Sequence, residues 1–358
     1  MVASGTAFEL TGSAAPPGSR VQIEVRLRSQ WRALAGARAD SQGAFARRVR
    51  PARIRPRYLI RAVAADGRVS ERVRVRSRDV TLASVGDVNL GDLPGAYISR
   101  LGVRYPWTSV APVLRRADVA FGNLECAIST RGFPVPKQFN FRGAPASLRA
   151  MATFAGFDVV NLANNHVGDY GTTAMLDTIR FTRRYGMAAV GAGGSLASAS
   201  EPRVVEQLGL RIAFVGFSDI LPASFFAGPG RPGTQQATTE NIRASVSRAK
   251  RRADVVIATF HWGVERATVA DARQRAFATE ALAAGATAVI GAHPHVLQPI
   301  RKVGARRLVA YSLGNFVFGA GSPGTTSTGI LELKLSTRGV EGSRFRRAVI
   351  EATRPRLL

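Results

Sequence analysis

The stretch Gly291-Ala292-His293-Pro294-His295 follows an apolar run, Ala286-Thr287-Ala288-Val289-Ile290, that has the length of a buried strand. The two imidazoles therefore lie on the turn that leaves this strand, where both rings can converge on one point. Ligand sites of open α/β sheets lie at the carboxyl ends of strands, and a metal site needs ligands held on rigid elements. A short H-x-H pattern is by itself equally compatible with two hydrogen-bonded surface histidines.

The positions of the remaining histidines favour the metal site. The chain has 4 His in 358 residues, and the other two, His166 and His261, also follow apolar runs at residues 159–163 and 255–260. Scattered structural histidines are not expected to share this position. A common metal site explains it, because neutral imidazole is a frequent metal ligand.

Composition is that of a globular protein long enough for two domains, with 46% hydrophobic residues, 36 Gly and 18 Pro. No run approaches the roughly 18 to 20 apolar residues of a membrane helix, and residues 1–5 do not resemble a signal peptide. This start leaves open a cytoplasmic chain or an export signal that has been removed. The single cysteine, Cys126, excludes an internal disulfide and a cysteine-based zinc site; we expect it to be a small buried residue.

The net charge of +26 is concentrated near the N-terminus, where residues 1–78 carry 17 Arg against 5 acidic residues. Only 4 of the 50 basic residues are Lys, so the Arg excess has a plain explanation in genomic composition. The functional alternative is a surface that attracts anionic polymers by long-range attraction that salt weakens. No recognised nucleic-acid motif accompanies the charge, so we expect no specific nucleic-acid partner.

Residues 1–78 are predicted to form a small all-β module. Residues 20–27 and 72–76 alternate polar and apolar side chains, the period of strands with one buried face, and turn signals separate them. Trp31, Phe45 and Tyr58 are candidates for its core. The spacing suggests an immunoglobulin-like sandwich without the cysteine pair of antibody domains.

From Val80 onward, strand-like runs alternate with helix-like stretches, which indicates a layered α/β domain over residues 79–358. The helix-like stretches are residues 146–155, 172–185, 241–252 and 270–284. Residues 329–358 are predicted to form strands. No internal repeat is visible.

Acidic and amide residues also follow strand-like runs. Carboxylate, amide and imidazole together suit a divalent ion such as Mn, Fe or Zn. The candidate ligands outnumber the needs of one ion, so two ions roughly 3.5 to 4 Å apart are expected, with a bridging carboxylate and a bridging water as nucleophile. The candidates are Asp87, Asn89, Glu125, Asn165, His261, His293 and His295.

Each candidate also has a structural interpretation when taken singly. Asp87 could cap a turn, Asn165 could be a left-handed turn residue, and Glu125 could pair with an arginine. Asp169 fits a helix cap or a hydrogen-bond acceptor better than a ligand. Trp262 fits a packing residue or a site wall. The joint placement of these residues supports the metal hypothesis.

Seven blocks of sequence, in order, resemble the CapA family of capsule and poly-γ-glutamate synthesis proteins, over roughly residues 80–335. The blocks are Gly86-Asp87-Val88-Asn89-Leu90-Gly91, Gly122-Asn123-Leu124-Glu125, Asn140-Phe141-Arg142-Gly143, Asn161-Leu162-Ala163-Asn164-Asn165-His166 with Asp169-Tyr170-Gly171, His261-Trp262-Gly263-Val264-Glu265, Gly291-Ala292-His293-Pro294-His295-Val296-Leu297-Gln298, and Tyr311-Ser312-Leu313-Gly314-Asn315-Phe316-Val317-Phe318.

The resemblance implies the calcineurin-like metallophosphoesterase fold, a four-layer αββα sandwich with a dinuclear metal centre. It implies that Asp87 is the bridging carboxylate, that Asn165 is a ligand, and that His166 is the general acid, with Asp169 beside it. Glu125 takes the place of the second-motif acid, and His261, His293 and His295 complete the two spheres. Asn89 replaces the usual His, and Ala292 stands where many relatives have a third His. Residues assigned to substrate binding from these blocks are Asn123, Arg142, Trp262, Glu265 and Asn315.

The function implied is metal-dependent hydrolysis of a phosphoester or a poly-γ-glutamyl bond during surface polyanion synthesis. The alternative is a non-enzymatic, metal-containing protein that binds and exports an anionic polymer. The resemblance also implies an extracytoplasmic or cell-surface location and association with membrane-bound capsule machinery.

Overall fold

The structure, a computed structural model, describes residues 1–52, 54–220 and 222–358. These residues divide into two compact units. The first contains Met1–Val80 together with two short later stretches, Glu206–Leu210 and Ser336–Arg338, and the second contains the rest. In the first unit, the later stretches bond to the N-terminal residues, because Ala3 N–H donates to Leu208 O (2.7 Å) and Thr337 N–H donates to Ser4 O (3.2 Å).

The first unit is built from strands whose period-two pattern buries one face. A five-stranded sheet has the order β1-β7-β6-β3-β4, and β2 pairs separately with β5. Its strands are β1 Val2–Ala3, β2 Phe8–Gly12, β3 Arg20–Leu27, β4 Gln30–Arg38, β5 Phe45–Val49, β6 Arg57–Ala64 and β7 Val73–Arg78.

The core of this unit contains Ile23, Val25, Tyr58 and Ile60, with Phe45 packed against it. Two of the three aromatic residues expected in the core, Tyr58 and Phe45, therefore lie there. Trp31 does not: it is partly exposed and lies beneath the guanidinium of Arg61, 4.3 Å from the ring centroid. An immunoglobulin topology for the unit stays a prediction.

The second unit alternates strands and helices as its sequence predicts. Its strands are β8 Val80–Val88, β9 Val119–Leu124, β10 Ala127–Ile128, β11 Arg142–Gly143, β12 Val159–Asn161, β13 Ala188–Val190, β14 Ala192–Gly193, β15 Arg203–Gln207, β16 Leu210–Ser218, β17 Gly233–Thr234, β18 Val255–His261, β19 Ala288–Ala292, β20 Ile300–Val303, β21 Arg307–Ala310, β22 Asn315–Val317, β23 Ser327–Ser336, β24 Gly339–Glu351 and β25 Arg354–Leu357. Its α-helices are α1 Asp92–Leu101, α2 Ala111–Leu114, α3 Pro145–Ala150, α4 Gly171–Arg184, α5 Leu196–Ala199, α6 Thr239–Arg252 and α7 Ala272–Ala283, and α3 continues into a π-helical turn, Met151–Ala155.

Two large sheets organise this unit. One has the order β13-β12-β9-β8-β23-β24-β25 with β22 also paired to β8, and the other has the order β15-β16-β18-β19-β21-β20. The central strands β8, β9, β12 and β22 are mutually parallel in the first sheet, as are β16, β18, β19 and β21 in the second. Near-continuous apolar runs such as β18 suit these strands because both faces are buried.

Helices cover the outer face of each sheet. Ile98, Leu148 and Ile179 of α1, α3 and α4 share one core cluster with residues of the first sheet. Ile242 of α6 and Phe277 of α7 pack with residues of the second sheet. The inner faces meet where Phe121 and Phe214 stack with ring centroids 5.7 Å apart. The unit is therefore the four-layer αββα sandwich expected from the sequence.

The predicted elements agree closely with this structure. The four predicted helices correspond to α3 with its π-helical turn, α4, α6 and α7, and the predicted C-terminal strands are β23, β24 and β25. Among the described residues, no helix is long and apolar enough to cross a membrane.

Candidate metal centre

Polar side chains from both sheets of the second unit lie together at the carboxyl ends of the parallel strands. Asp87 lies near the end of β8, Glu125 follows β9, and Asn165 follows β12, all in the first sheet. His261 ends β18 and His293 follows β19 in the second sheet. The carboxyl ends of parallel strands share an edge of a sheet, which explains how residues 206 positions apart in sequence become neighbours.

Strand register fixes the first part of the centre. Asp87 pairs with Asn123 on one side and with Asn315 on the other, and Asn161 pairs with Asn123. Because these residues are neighbours in the register of the sheet, Asn123 Nδ2 lies 2.7 Å from Asp87 Oδ1. It also lies 3.1 Å from His261 Nδ1. Asn161 Nδ2 donates to Asn123 Oδ1 at 2.8 Å. Asn123 thus orients two candidate ligands.

His261 lies close to three other candidate ligands. Its Nε2 lies 2.8 Å from Asn165 Oδ1, 3.1 Å from His293 Nδ1 and 3.3 Å from Glu125 Oε1. Ligand atoms about 2.1 Å from one ion are about 3.0–3.4 Å from each other. The distances from His261 Nε2 to His293 Nδ1 and to Glu125 Oε1 lie in this range, and the distance to Asn165 Oδ1 is slightly shorter.

A second group lies beside the first. His295 Nδ1 is 3.5 Å from Asp87 Oδ2 and 2.9 Å from Asn315 Oδ1, and Asp87, Glu125 and His295 offer ligand atoms within 4.8 Å of one another. Glu125 also belongs to the group with His261 and His293. Among the described residues, Glu125 belongs to both of these groups. The bridging role that the family resemblance gives to Asp87 stays a prediction.

The chemistry of the donor set fits divalent ions. Glu125 is fully buried, yet neither of its oxygens receives a hydrogen bond from the described residues. Burial and the neighbouring Asp87 raise the pKa of the Glu125 carboxyl well above its ordinary value. Buried polar atoms rarely lack partners, and a cation would supply the missing partner here.

Two of the three candidate histidine ligands are in the neutral state that metal binding requires. Burial lowers the pKa of His261 and of His293 well below the ordinary value, so both imidazoles stay neutral. Burial alone would lower the pKa of His295 too, but its hydrogen bond to Asp87 raises it overall.

The backbone of the H-x-H turn is strained. His293 has a φ of 98° and His295 a φ of 60°, conformations that residues with a β-carbon rarely adopt. Close packing before the turn leaves no room for a different path: a β-carbon at Gly291 would lie 2.0 Å from Tyr311 O. Strain of this kind concentrates at functional sites.

A catalytic dyad candidate borders the centre. His166 Nδ1 lies 2.6 Å from Asp169 Oδ2, which also accepts from the Phe141 N–H at 2.7 Å, and Lys137 Nζ donates to Asp169 Oδ1 at 2.7 Å. Asp169 can accept from all three groups when Nδ1 of His166 carries the ring proton, and Nε2 is then the nitrogen free for chemistry. Asp169 is thus a hydrogen-bond acceptor, and the cap of α4 is Tyr170.

The remaining candidates differ in exposure. Asn89 is buried, its Oδ1 accepts from Gly91 N–H at 2.8 Å, and its Nδ2 has no partner among the described residues. Trp262 is fully buried, and its Nε1–H donates to Tyr311 O. Arg142 is exposed over the Tyr170 ring. Glu265 is exposed, with ligand atoms of His293 and His295 within 4.8 Å.

Sequence reasoning missed Lys137. Its ammonium contacts the dyad and also donates to Asn165 O at 2.5 Å, which ties it to a candidate ligand as well. The sequence feature that sets Lys137 apart is composition, because only 4 of the 50 basic residues are Lys. The sequence also gives no separate role to Asn161, which donates a hydrogen bond to Asn123.

The fold and site together define an α/β protein with a candidate metal centre at the strand ends of two packed sheets. The sequence model of the bacterial capsule synthesis protein family, PGA_cap, matches residues 81–320. The chain belongs to this family.

Individual relatives agree with this assignment. The PGA biosynthesis protein CapA of Bacillus subtilis (strain 168) is 34% identical over 278 residues, which cover 75% of this chain and 71% of that protein. The capsule biosynthesis protein CapA of Bacillus anthracis is 31% identical over 268 residues, 73% of this chain and 65% of that protein. The chain thus spans about two thirds of the length of these relatives.

Among solved structures, the 5'-nucleotidase precursor from Thermus thermophilus aligns with 77% of this chain and 56% of that chain. The TM-score is 0.45 and the sequence identity 15%.

Proposed function

We propose that this protein is a metal-dependent hydrolase that acts on a phosphoester or a poly-γ-glutamyl bond during synthesis of an anionic surface polymer. The observation that carries the proposal is the buried Glu125 carboxylate. It receives no hydrogen bond from the described residues and belongs to two groups of converging ligand atoms. These two groups would hold two ions, and Glu125 belongs to both groups.

Specific residues would hold the ions. Asn165, His261 and His293 would hold one, and Asp87 and His295 the other. Divalent ions in such a site supply Lewis acidity and a bound water whose pKa is lowered towards neutrality. Asn89 is the weakest candidate ligand because Gly91 N–H already occupies one side of its oxygen.

The dyad supplies proton transfer. Asp169 holds the His166 ring through Nδ1, and stacking on Phe141, with ring centroids 4.1 Å apart, fixes its plane. Burial lowers the pKa of His166, so the resting ring is neutral. Nε2 would first take up a proton from water and then give it to the leaving group, which returns the ring to its neutral form. Trp262 would support the wall of the site, and Arg142, Glu265, Asn123 and Asn315 would surround the substrate or orient the ligands.

The family and its named relatives support an anionic polymer, such as poly-γ-glutamate, as the partner. On this proposal the protein works at the cell surface with membrane-bound capsule machinery. The competing proposal is that the ions are structural and the protein binds the polymer and passes it on. Asn89 favours this alternative. Its Oδ1 already accepts a hydrogen bond from Gly91 N–H, so Asn89 would be a weak metal ligand.

Metal analysis joined to hydrolysis assays separates the two proposals. The purified full chain should contain one to two transition ions and should cleave bis(p-nitrophenyl) phosphate or poly-γ-glutamate. Glu125→Gln should lose both metal and activity, whereas the control Glu332→Gln, which affects an acid paired with Arg346 at 2.8 Å, should lose neither. Metal bound without hydrolysis of either substrate would support the non-enzymatic alternative. A metal-free protein that does not respond to Mn or Zn would overturn both.

A further inference from the structure

The first unit contains a groove of about 680 Å³ that the proposed chemistry does not use. Three arginines border it, Arg20 on β3, Arg38 on β4 and Arg47 on β5. Its floor is made mainly of small residues at positions 33–37 of β4. Small floor residues leave room for an extended chain, and the arginines give the groove a positive charge.

These three arginines have no carboxylate partner among the described residues. Arg38 Nε donates to a backbone oxygen, Gly18 O, at 2.9 Å, and neither Arg20 nor Arg47 forms a salt bridge within that part of the chain. Many arginines of the second unit, by contrast, face an acid, as Arg273 faces Asp219 at 2.6 Å and Arg356 faces Glu351 at 2.7 Å. An arginine-rich genome by itself does not explain why the groove lacks acids.

Arg20 and Arg38 also oppose each other directly in the register of β3 and β4. Like charges in directly opposite positions of an antiparallel pair destabilise it. An anion bound between the two guanidiniums would remove this repulsion and accept paired hydrogen bonds from each planar fork.

Among the described residues, the outer edge of the strand that forms the floor has no ladder partner. β4 is the last strand in the hydrogen-bonded order of its sheet, and the neighbouring β5 pairs with β2 instead of with β4. An edge strand presents free N–H and C=O groups to which an extended polyamide can bond. The groove therefore combines amide-pairing capacity with cationic side chains.

We propose that this groove binds a linear polycarboxylate with an amide backbone, whose carboxylates contact Arg20, Arg38 and Arg47. The inference rests on the proposed function for the identity of the polymer, poly-γ-glutamate. The groove would hold the polymer by direct contacts rather than by net charge alone.

The test compares two triple variants of the full chain that remove equal charge. Arg20→Gln, Arg38→Gln and Arg47→Gln alter the groove. Arg72→Gln, Arg74→Gln and Arg76→Gln alter exposed arginines that also lack salt bridges in the described part of the chain but do not line it. Binding of poly-γ-glutamate is measured by isothermal titration calorimetry over a range of salt concentrations, from roughly 0.01 M to 1 M, and circular dichroism checks folding.

We expect the groove variant to raise the dissociation constant about tenfold or more, because charge-assisted hydrogen bonds are lost. The control should lose affinity at low salt only, since screening removes long-range attraction as the Debye length falls below about 10 Å. A third variant, Arg20→Lys, Arg38→Lys and Arg47→Lys, keeps the charge and should bind with intermediate affinity because the forked geometry is gone.

Equal losses of affinity for poly-γ-glutamate in the two glutamine variants would overturn the proposal, because the arginines would then act only through nonspecific charge. Tighter binding of DNA or dextran sulfate than of poly-γ-glutamate would also overturn the proposal. Loss of a dimer in the groove variant would overturn it too, because β4 would then be a contact between copies of the chain. Hydrolysis of bis(p-nitrophenyl) phosphate by the same variants should match wild type. Loss of polymer binding is thereby distinguished from failure of the proposed catalytic function.

Discussion

His293 and His295 adopt positive φ angles of 98° and 60° at the turn that supplies both candidate spheres. Each such residue costs about 1–3 kcal/mol. The surrounding packing holds the turn in place, since Gly291 lies directly against Tyr311 O and tolerates no β-carbon. The backbone conformation that places the two histidine ligands therefore lowers the stability of the folded protein.

This conflict predicts a difference between two substitutions at one position. His293→Gly and His293→Ala should both reduce, to the same extent, the rise in unfolding temperature that Mn or Zn causes in wild type. Without metal, His293→Gly should be more stable than His293→Ala by about 1 kcal/mol, because glycine adopts positive φ without a steric cost. Thermal unfolding of the chelated proteins measures this. Equal stabilities would show that the turn is not strained.

His166→Ala should retain its metal and lose activity. A general acid typically contributes about 10²–10⁴-fold to rate, so kcat should fall by that factor on any substrate the wild type cleaves. Metal content by mass spectrometry and kcat are both measured. Loss of metal as complete as in Asp87→Ala would make His166 a ligand instead.

Lys137→Met should lower kcat with unchanged metal content, because Asp169 and Asn165 O would lose the ammonium that holds them at 2.7 Å and 2.5 Å. Lys137→Arg should restore little, since guanidinium donors lie in a plane and do not converge on one point. Lys334→Met, on β23, serves as the control. Full activity in Lys137→Met would remove the residue from the site.

At the scale of elements, the loop formed by residues 129–141 brings Lys137 to the dyad. The loop is anchored on α4, where Asp177 accepts from Ser129 Oγ at 2.7 Å and from Arg131 Nε at 2.9 Å. A second anchor is the bond from Val135 N–H to Asp169 O at 2.9 Å. The position of Lys137 is thus set by contacts of its loop and not by its own strand or helix.

The anchor on α4 predicts a pH dependence. Arg131 lowers the pKa of Asp177 to about 2, from an ordinary value of about 3.9. Because the folded-state pKa is depressed, its stabilisation is fully present above about pH 4 and is lost as pH falls towards 2.

Asp177→Asn should therefore be less stable than wild type at pH 7, and the difference should shrink between about pH 4 and pH 2. Urea unfolding followed by circular dichroism at several pH values measures it. Asp66→Asn serves as the control: Asp66 is exposed, and among the described residues its ion-pair partner is Arg68, two positions along the chain, so its loss should affect stability little. A difference independent of pH would exclude the ion pair as its source.

At the scale of the whole molecule, metal removal should affect stability. Binding to the native state alone stabilises by about 2.7 kcal/mol when the free ion is at 100 times its dissociation constant. Chelation should lower the unfolding temperature, and Mn or Zn should restore it.

His293→Ala combined with His295→Ala should show no response to added metal, whereas Glu332→Gln should respond as wild type does. Differential scanning calorimetry resolves whether one or two transitions move. Chelated and metal-loaded wild type with the same unfolding temperature would contradict the prediction.

The sequence by itself determined the layered α/β class, four of the helices and the placement of the four histidines after strands. These features follow from hydrophobic periodicity and from local turn chemistry, which short windows of sequence record. The four-layer arrangement was expected from the family resemblance instead. Period two in β3 and the continuous apolar runs of β8 and β18 distinguish half-buried from fully buried strands without any long-range information.

Only the tertiary structure decided which groups meet. Glu125 lies within 4.8 Å of ligand atoms of both His261 and His295 because β8, β9, β18 and β19 converge. Lys137 reaches Asp169 because its loop folds back onto α4. Residues 206–210 and 336–338 join the N-terminal unit through bonds to residues 3 and 4. The groove at β4 arises from strand order. Each depends on pairing between distant segments, and sequence periodicity does not encode which distant segments pair.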